Sequence, residues 1–142
     1  MIVRVQSEDF DPEQEARALT ATGAGARVSF VGTVRDFSAG SQITALDIEH
    51  YPRMTEAELT RVAQQAQRTW DLLDVLIVHR YGRLRAGDRI VLVVTWAHHR
   101  KAAFRGCEEI IDVLKTRAPF WKKEITEDGA TWVSGEIPAS LE

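Results

Sequence analysis

The stretch Leu114-Lys115-Thr116-Arg117-Ala118-Pro119-Phe120-Trp121-Lys122-Lys123-Glu124 gathers four cations around an apolar wedge. Residues 98–123 carry seven Lys and Arg against three acids, in a chain whose formal net charge is -3. A cationic spot this local in an acidic protein suits a compact anion or the acidic face of one partner better than a polymer. Lys122 follows two aromatics in an extended-looking run. Burial there would strip water from its ammonium and lower its pKa toward a range useful for proton transfer or attack, whereas simple alternation would turn it to solvent. Lys115 and Arg117 fall at a helix end, where the macrodipole stabilises a cation by roughly 0.3 to 1 kcal/mol without any function. His98, His99, Arg100 and Lys101 stand at the opposite end of that helix. The dipole disfavours cations there and free N–H groups attract anions, so these residues suit either a phosphate cradle or a solvated surface. Arg35 follows Phe30-Val31-Gly32-Thr33-Val34, where Gly32 permits close backbone approach; an ordinary edge-strand arginine is the competing account.

Other chemistries have less support. The single cysteine, Cys107, falls on an apolar helical stripe, which suits a core thiol, and four scattered histidines do not make a metal site, so no metal is expected. His50 and His79 lack spaced partners and are assigned structural roles. No apolar run approaches the length of a membrane span, and the N-terminus lacks a basic start followed by a long apolar stretch. A cytoplasmic setting without membrane contact is the expectation. A sequence pI near 5.8 argues against a nucleic-acid-coating surface.

The elements that must position these residues follow from periodicity. Residues 1–6 alternate like a short strand, and Asp11-Pro12 opens a short helix with acids in its first turn. Residues 27–37 and 43–51 suggest two strands joined as a hairpin through the Gly/Ser-bearing loop. Thr55 and Glu58 form a capping-box pattern ahead of an amphipathic helix over 55–70. Two Val/Ile/Leu-rich strands flank Arg85-Ala86-Gly87-Asp88, and a helix then runs from about Arg100 with Ala103, Phe104, Cys107, Ile111 and Leu114 on one stripe until Pro119. Asp128-Gly129 signals a closing hairpin. The expected class is α+β in a single domain spanning 1–142, with mixed or antiparallel sheet, two or three helices and a flexible tail at about 134–142.

Five motifs, FVGTVRD, LDIEHYPRMTEAEL, VHRYGRLRAGD, AHHRKAAF and LKTRAPFWKKE, together resemble the catalytic (large) subunit family of molybdopterin synthase, in the same order from Phe30 to Glu124. The resemblance implies an α/β-hammerhead fold. It also implies a sulfurtransferase that converts cyclic pyranopterin monophosphate to molybdopterin, building the dithiolene of the molybdenum cofactor. The sulfur would come from the C-terminal thiocarboxylate of a small ubiquitin-like carrier ending in Gly-Gly, so no cofactor of the chain's own is implied. The implied assembly is a heterotetramer, a homodimer of this chain with one carrier at each end.

By the same resemblance Lys115 and Lys122 are the catalytic lysines. Thr33, Val34, Arg35, His99, Arg100, Lys123 and Glu124 join them in binding the pterin phosphate. The final residues depart from the pattern: the cation that some members carry after the Trp-Val of the last hairpin is missing from Trp132-Val133-Ser134-Gly135-Glu136-Ile137-Pro138-Ala139-Ser140-Leu141-Glu142, so either the pocket makes do with Arg35, His99 and Arg100 or another arginine such as Arg53 or Arg83 substitutes across the dimer. A noncatalytic anion- or nucleotide-binding module, and a carrier-docking subunit without turnover, are the alternatives.

Overall fold

Two buried strands, β5 (Asp74–Arg80) and β7 (Arg89–Ala97), form the centre of the molecule, a computed structural model that describes residues 1–38 and 40–133. Val75 to Val78 and Leu92 to Val94 are fully buried, as the near-continuous Val/Ile/Leu runs require of strands covered on both faces. With β1 (Ile2–Gln6) and β2 (Ala26–Thr33) they make a four-stranded sheet ordered β1-β5-β7-β2, in which β1 and β5 are parallel and the other pairs antiparallel.

Period-two alternation divides the sheet's side chains between two cores. Val75, Ile77 and Val93 face α2 (Pro52–Trp70) and α3 (Arg100–Thr116), packing on Leu59, Val62, Ala63, Ala66, Ala103, Cys107, Ile110 and Leu114. Leu76, Val78, Leu92, Val94 and Trp96 face α1 (Pro12–Arg17) through Phe10 and Ala16. Asp11 caps α1 as its sequence suggests, its carboxylate accepting from the N–H groups of Glu13 and Gln14.

A second sheet holds β3 (Phe37–Ser38), β4 (Ser41–His50), β6 (Gly82–Arg85), β8 (Phe120–Thr126) and β9 (Gly129–Trp132). Strand β4 runs antiparallel to both β6 and β8, over a third core of Val34, Ile43, Leu46, Ile48, Leu84 and Ile90. Val91 and Phe120 border both this core and the helical one, so they join the two sheets.

The architecture is the expected α+β mixture, with local corrections. Strands β2 and β4 are not hairpin partners: β2 pairs with β7, and only the short β3 turns back onto β4. The register shift at Gly32/Thr33 ends β2 and passes the chain from one sheet to the other. Helix α2 begins at Pro52, a residue preorganised for the first helical position, and Thr55 lies one turn inside, its hydroxyl donating to the Tyr51 carbonyl at 2.7 Å. The run Asp74–Arg85 is two strands, broken where Gly82 takes a left-handed φ of 94°. Phe104 is 61% exposed, and Ile110 is fully buried where the stripe placed Ile111, which is only partly buried. The tail at 134–142 lies outside the described residues, and with it most of the cation-poor segment.

Gly25 braces the start of α3. Its N–H donates to the Ala97 carbonyl at 3.0 Å, and a Cβ at this position would sit on the His98 carbonyl oxygen, a backbone atom with no rotamer to yield. Gly25→Ala is therefore expected to lower stability by about 2 kcal/mol or more, whereas Gly87→Leu, at an open turn, costs only its φ strain. Urea unfolding of the two variants checks the difference.

Candidate functional site

Strand β8 pairs with β4 so that Ile48 lies opposite Lys122 and His50 opposite Phe120. Alternation then puts Phe120, Lys122 and Glu124 on one face of the strand. That face forms one wall of a cavity of about 620 Å³. The end of β2 and the segment after it supply Phe30 to Arg35, and α3 supplies Ile111, Leu114 and Lys115 at helical spacing. His79 from β5, Val91 from β7 and Leu46 from β4 complete the walls, with Val133 at the rim. The Val133 N–H donates to the Lys122 carbonyl at 2.8 Å, which pins the backbone under that lysine.

The two lysines therefore share one cavity although six residues of irregular and extended chain separate them. Pro119 is buried, and Ala118 and Phe120 pack on the cores, so the chain leaving α3 turns straight into β8. The Lys122 ammonium is half-buried and has no hydrogen bond or ion pair among the described residues. Its pKa is held below the ordinary lysine value, first by desolvation and then by the positive charge of Lys115. Lys115, by contrast, is exposed in the last turn of α3. Across the mouth, Arg35 and Glu124 form an ion pair at 3.7 Å, between a 63% exposed guanidinium and a 14% exposed carboxylate. The site thus offers three cations and one acid at the polar end of an otherwise apolar pocket.

Among the candidate residues read from the sequence, Thr33, Val34, Arg35, Lys115, Lys122 and Glu124 meet in this cavity. Lys123 does not line it. It lies on the opposite face of β8, beside Asp47 and Trp132 in the strand register, with its ammonium 4.7 Å from the Trp132 ring centroid. His99 and Arg100 also lie elsewhere, in a shallow recess of about 420 Å³ with Lys101, Phe104 and Arg105. At about 1.5 Å per residue along α3, Arg100 and Lys115 stand roughly 22 Å apart, too far for one arginine to bridge. Arg83, one of the substitutes considered for the missing tail cation, forks onto Asp47 at 2.5 and 2.8 Å.

One wall residue was read from the sequence as structural only. His79 is 2% exposed, and its ring stacks on Phe120 with centroids 3.7 Å apart and planes inclined by 15°. Its Nδ1–H donates to the Arg80 carbonyl at 2.8 Å. Burial, reinforced by the nearby Lys122 charge, pushes its pKa down to about 3. The histidine inside an otherwise apolar strand was the available sign.

The comparisons with known proteins bear on these same elements. Residues 5–117 match the family model of the MoaE protein. The chain belongs to the MoaE family. It is 51% identical over 137 residues to the molybdopterin synthase catalytic subunit of Pseudomonas aeruginosa, covering 95% of this chain and 91% of that one. Its fold superposes on the crystal structure of molybdopterin synthase from Staphylococcus aureus with a TM-score of 0.86 at 34% identity, covering 92% of this chain and 96% of the other. At 21% identity it also shares the fold of a chain in a Helicobacter pylori complex of subunits 1 and 2 of molybdopterin-converting factor, with a TM-score of 0.76 and coverage of 96% and 92%.

The His79 burial carries a stability consequence. A histidine whose folded pKa is near 3, against 6.5 when unfolded, is stabilising to leave neutral above pH 6.5, and that stability is lost as pH falls toward 3. Between pH 7 and pH 4 the loss is about 3 kcal/mol. His50, whose pKa burial also lowers, adds in the same direction. Denaturant unfolding at the two pH values is expected to show this loss in the wild type and a clearly smaller one in His79→Phe.

Proposed function

We propose that this chain, a molybdopterin synthase catalytic subunit, uses the cavity between β8 and α3 to move sulfur from the C-terminal thiocarboxylate of a small ubiquitin-like carrier onto cyclic pyranopterin monophosphate. The observation that carries the reading is the meeting of Lys115 and Lys122 in one cavity whose mouth holds Arg35 and Glu124. A cavity of about 620 Å³ is within the range of pockets for small ligands. Its Arg35 guanidinium suits a phosphate, and its apolar walls suit a flat ring.

In this reading the thiocarboxylate sulfur attacks a pterin side-chain carbon and forms a thioester link to the carrier, while the C–O bond at that carbon breaks and its oxygen leaves after taking a proton. Water then adds to the acyl carbon and the C–S bond breaks, leaving sulfur on the pterin and a carboxylate on the carrier. Lys115, exposed at the end of α3, orients the thiocarboxylate and stabilises the oxyanion that forms at the acyl carbon. Lys122, with its lowered pKa, moves protons as the substrate ring opens and oxygen departs. Sulfur comes from the partner, and the chain brings no cofactor of its own. The complex of subunits 1 and 2 in the Helicobacter pylori converting factor supports a two-subunit assembly.

The separation of His99 and Arg100 from Lys115 also bears on assembly. As substrate ligands they serve a pocket other than their own, which requires a second copy of the chain, as in a homodimer carrying one carrier at each end. Lys123 then supports β9 through Trp132, and does not touch substrate.

Two outcomes are expected. In single-turnover reactions with thiocarboxylated carrier, Lys115→Ala and Lys122→Ala each slow dithiolene formation by about a hundredfold or more while still binding carrier; product at the wild-type rate from Lys122→Ala would remove its proton-transfer role. Mixing Lys122→Ala with Arg100→Ala, each slow alone, regains activity through dimers that contain one intact pocket, and no recovery after verified subunit exchange would show that Arg100 does not serve the pocket of the partner copy.

A further inference from the structure

His79 is a fully buried titratable side chain in the cavity wall that the roles above leave unused. Its neighbours Val75 to Val78 are buried and apolar, and an aliphatic or phenyl side chain there would fill the space without a polar cost. Only one ring nitrogen is satisfied by protein. The Nδ1–H bond to the Arg80 carbonyl sets the tautomer and leaves Nε2 as a lone-pair acceptor. Among the described residues none donates to Nε2. The side chain is one of those that line the cavity shared with Lys122.

We propose that His79 is a positioning residue for Lys122: its ring, stacked on Phe120 and anchored to the Arg80 carbonyl, holds the strand face that carries Lys122 and offers the ammonium an uncharged acceptor. Phe120 lies two residues before Lys122 on the same face of β8, so a ring clamped on Phe120 restrains the lysine backbone. Both side chains line the same cavity, and burial keeps the imidazole neutral throughout the working pH range. A neutral acceptor is what this position needs, because a second cation beside Lys122 would add to the repulsion already exerted by Lys115. The other charged or titratable groups around the pair are Lys115 from α3, Arg35 from the segment after β2, Glu124 on β8, and His50 from β4 behind Phe120.

Loss of the acceptor disfavours the ammonium and lowers the Lys122 pKa further. The sign is the same whether Lys122 acts as acid or base: its inflexion in the pH–rate profile moves to lower pH. The kinetic arm rests on the sulfur-transfer reading, whereas the spectroscopic arm does not. In the complex with thiocarboxylated carrier, His79→Phe, which keeps a stacking ring, is expected to lower kcat about tenfold with KM for the pterin within about twofold, and to move the inflexion down by about half a unit. His79→Gln, which restores an acceptor oxygen, recovers the inflexion. In the 15N-histidine spectrum of the wild type, Nε2 of His79 is unprotonated at neutral pH and its resonance shifts in Lys122→Met. An inflexion and kcat unchanged in a folded His79→Phe, or an Nε2 resonance indifferent to Lys122→Met, would reduce His79 to a packing residue. An inactive wild type with the Nε2 shift present would overturn the sulfur-transfer reading and leave the positioning assignment standing.

Discussion

Two ammonium groups that repel each other in one half-buried cavity are the constraint on which the rest of the molecule depends. Lys122 is the more costly of the two, since it loses water to the pocket walls and feels the charge of Lys115. An isolated ammonium would leave such a place if its backbone were free. Here the backbone is fixed from three directions: β4 through the register of Ile48 and His50, the Val133 N–H on the Lys122 carbonyl, and the stacked ring of His79 on Phe120. An anionic ligand would relieve the repulsion, so the cavity favours anions.

The topology explains how the two cations meet. Strand β8 belongs to the second sheet and α3 packs on the first, so the cavity exists only where Val91 and Phe120 join the two cores. The bulge at Gly32/Thr33 serves the same junction by turning Val34 and Arg35 out of the first sheet toward the mouth of the pocket. Residues from β2, β5, β8 and α3 are remote in the chain, yet each of these contributions comes from an ordered element and not from a long loop. This placement on ordered elements gives the site geometric precision.

Much of the site was legible in the chain itself. The Leu114 to Glu124 motif carries both lysines, the helix end accounts for Lys115 while the sequence leaves Lys122 open between burial and solvent, and local chemistry marks Asp11-Pro12 and the Asp128-Gly129 hairpin. What escaped depends on pairing at long range. Nothing near residues 27–51 tells that β2 seeks β7 while β4 seeks β8, because a strand's alternation does not name its partner. The resemblance groups Lys123 with Lys122, although a strand sends neighbours to opposite faces. It also groups His99 and Arg100 with Lys115, and the length of α3 separates them within one chain. His79 reads as structural because it has no spaced partner, and its stack on Phe120 in the cavity wall is what distinguishes it.

The most direct measurement of the central claim is an NMR titration of the lysine ammonium groups in the free chain, with Lys122 assigned by its loss in Lys122→Arg. The account predicts that Lys122 titrates below the surface lysines and that Lys115→Met moves its midpoint upward, toward the ordinary lysine value, since one source of the depression is then gone. A Lys122 that titrates with the surface lysines and ignores Lys115→Met would show that the two cations do not share a desolvated cavity.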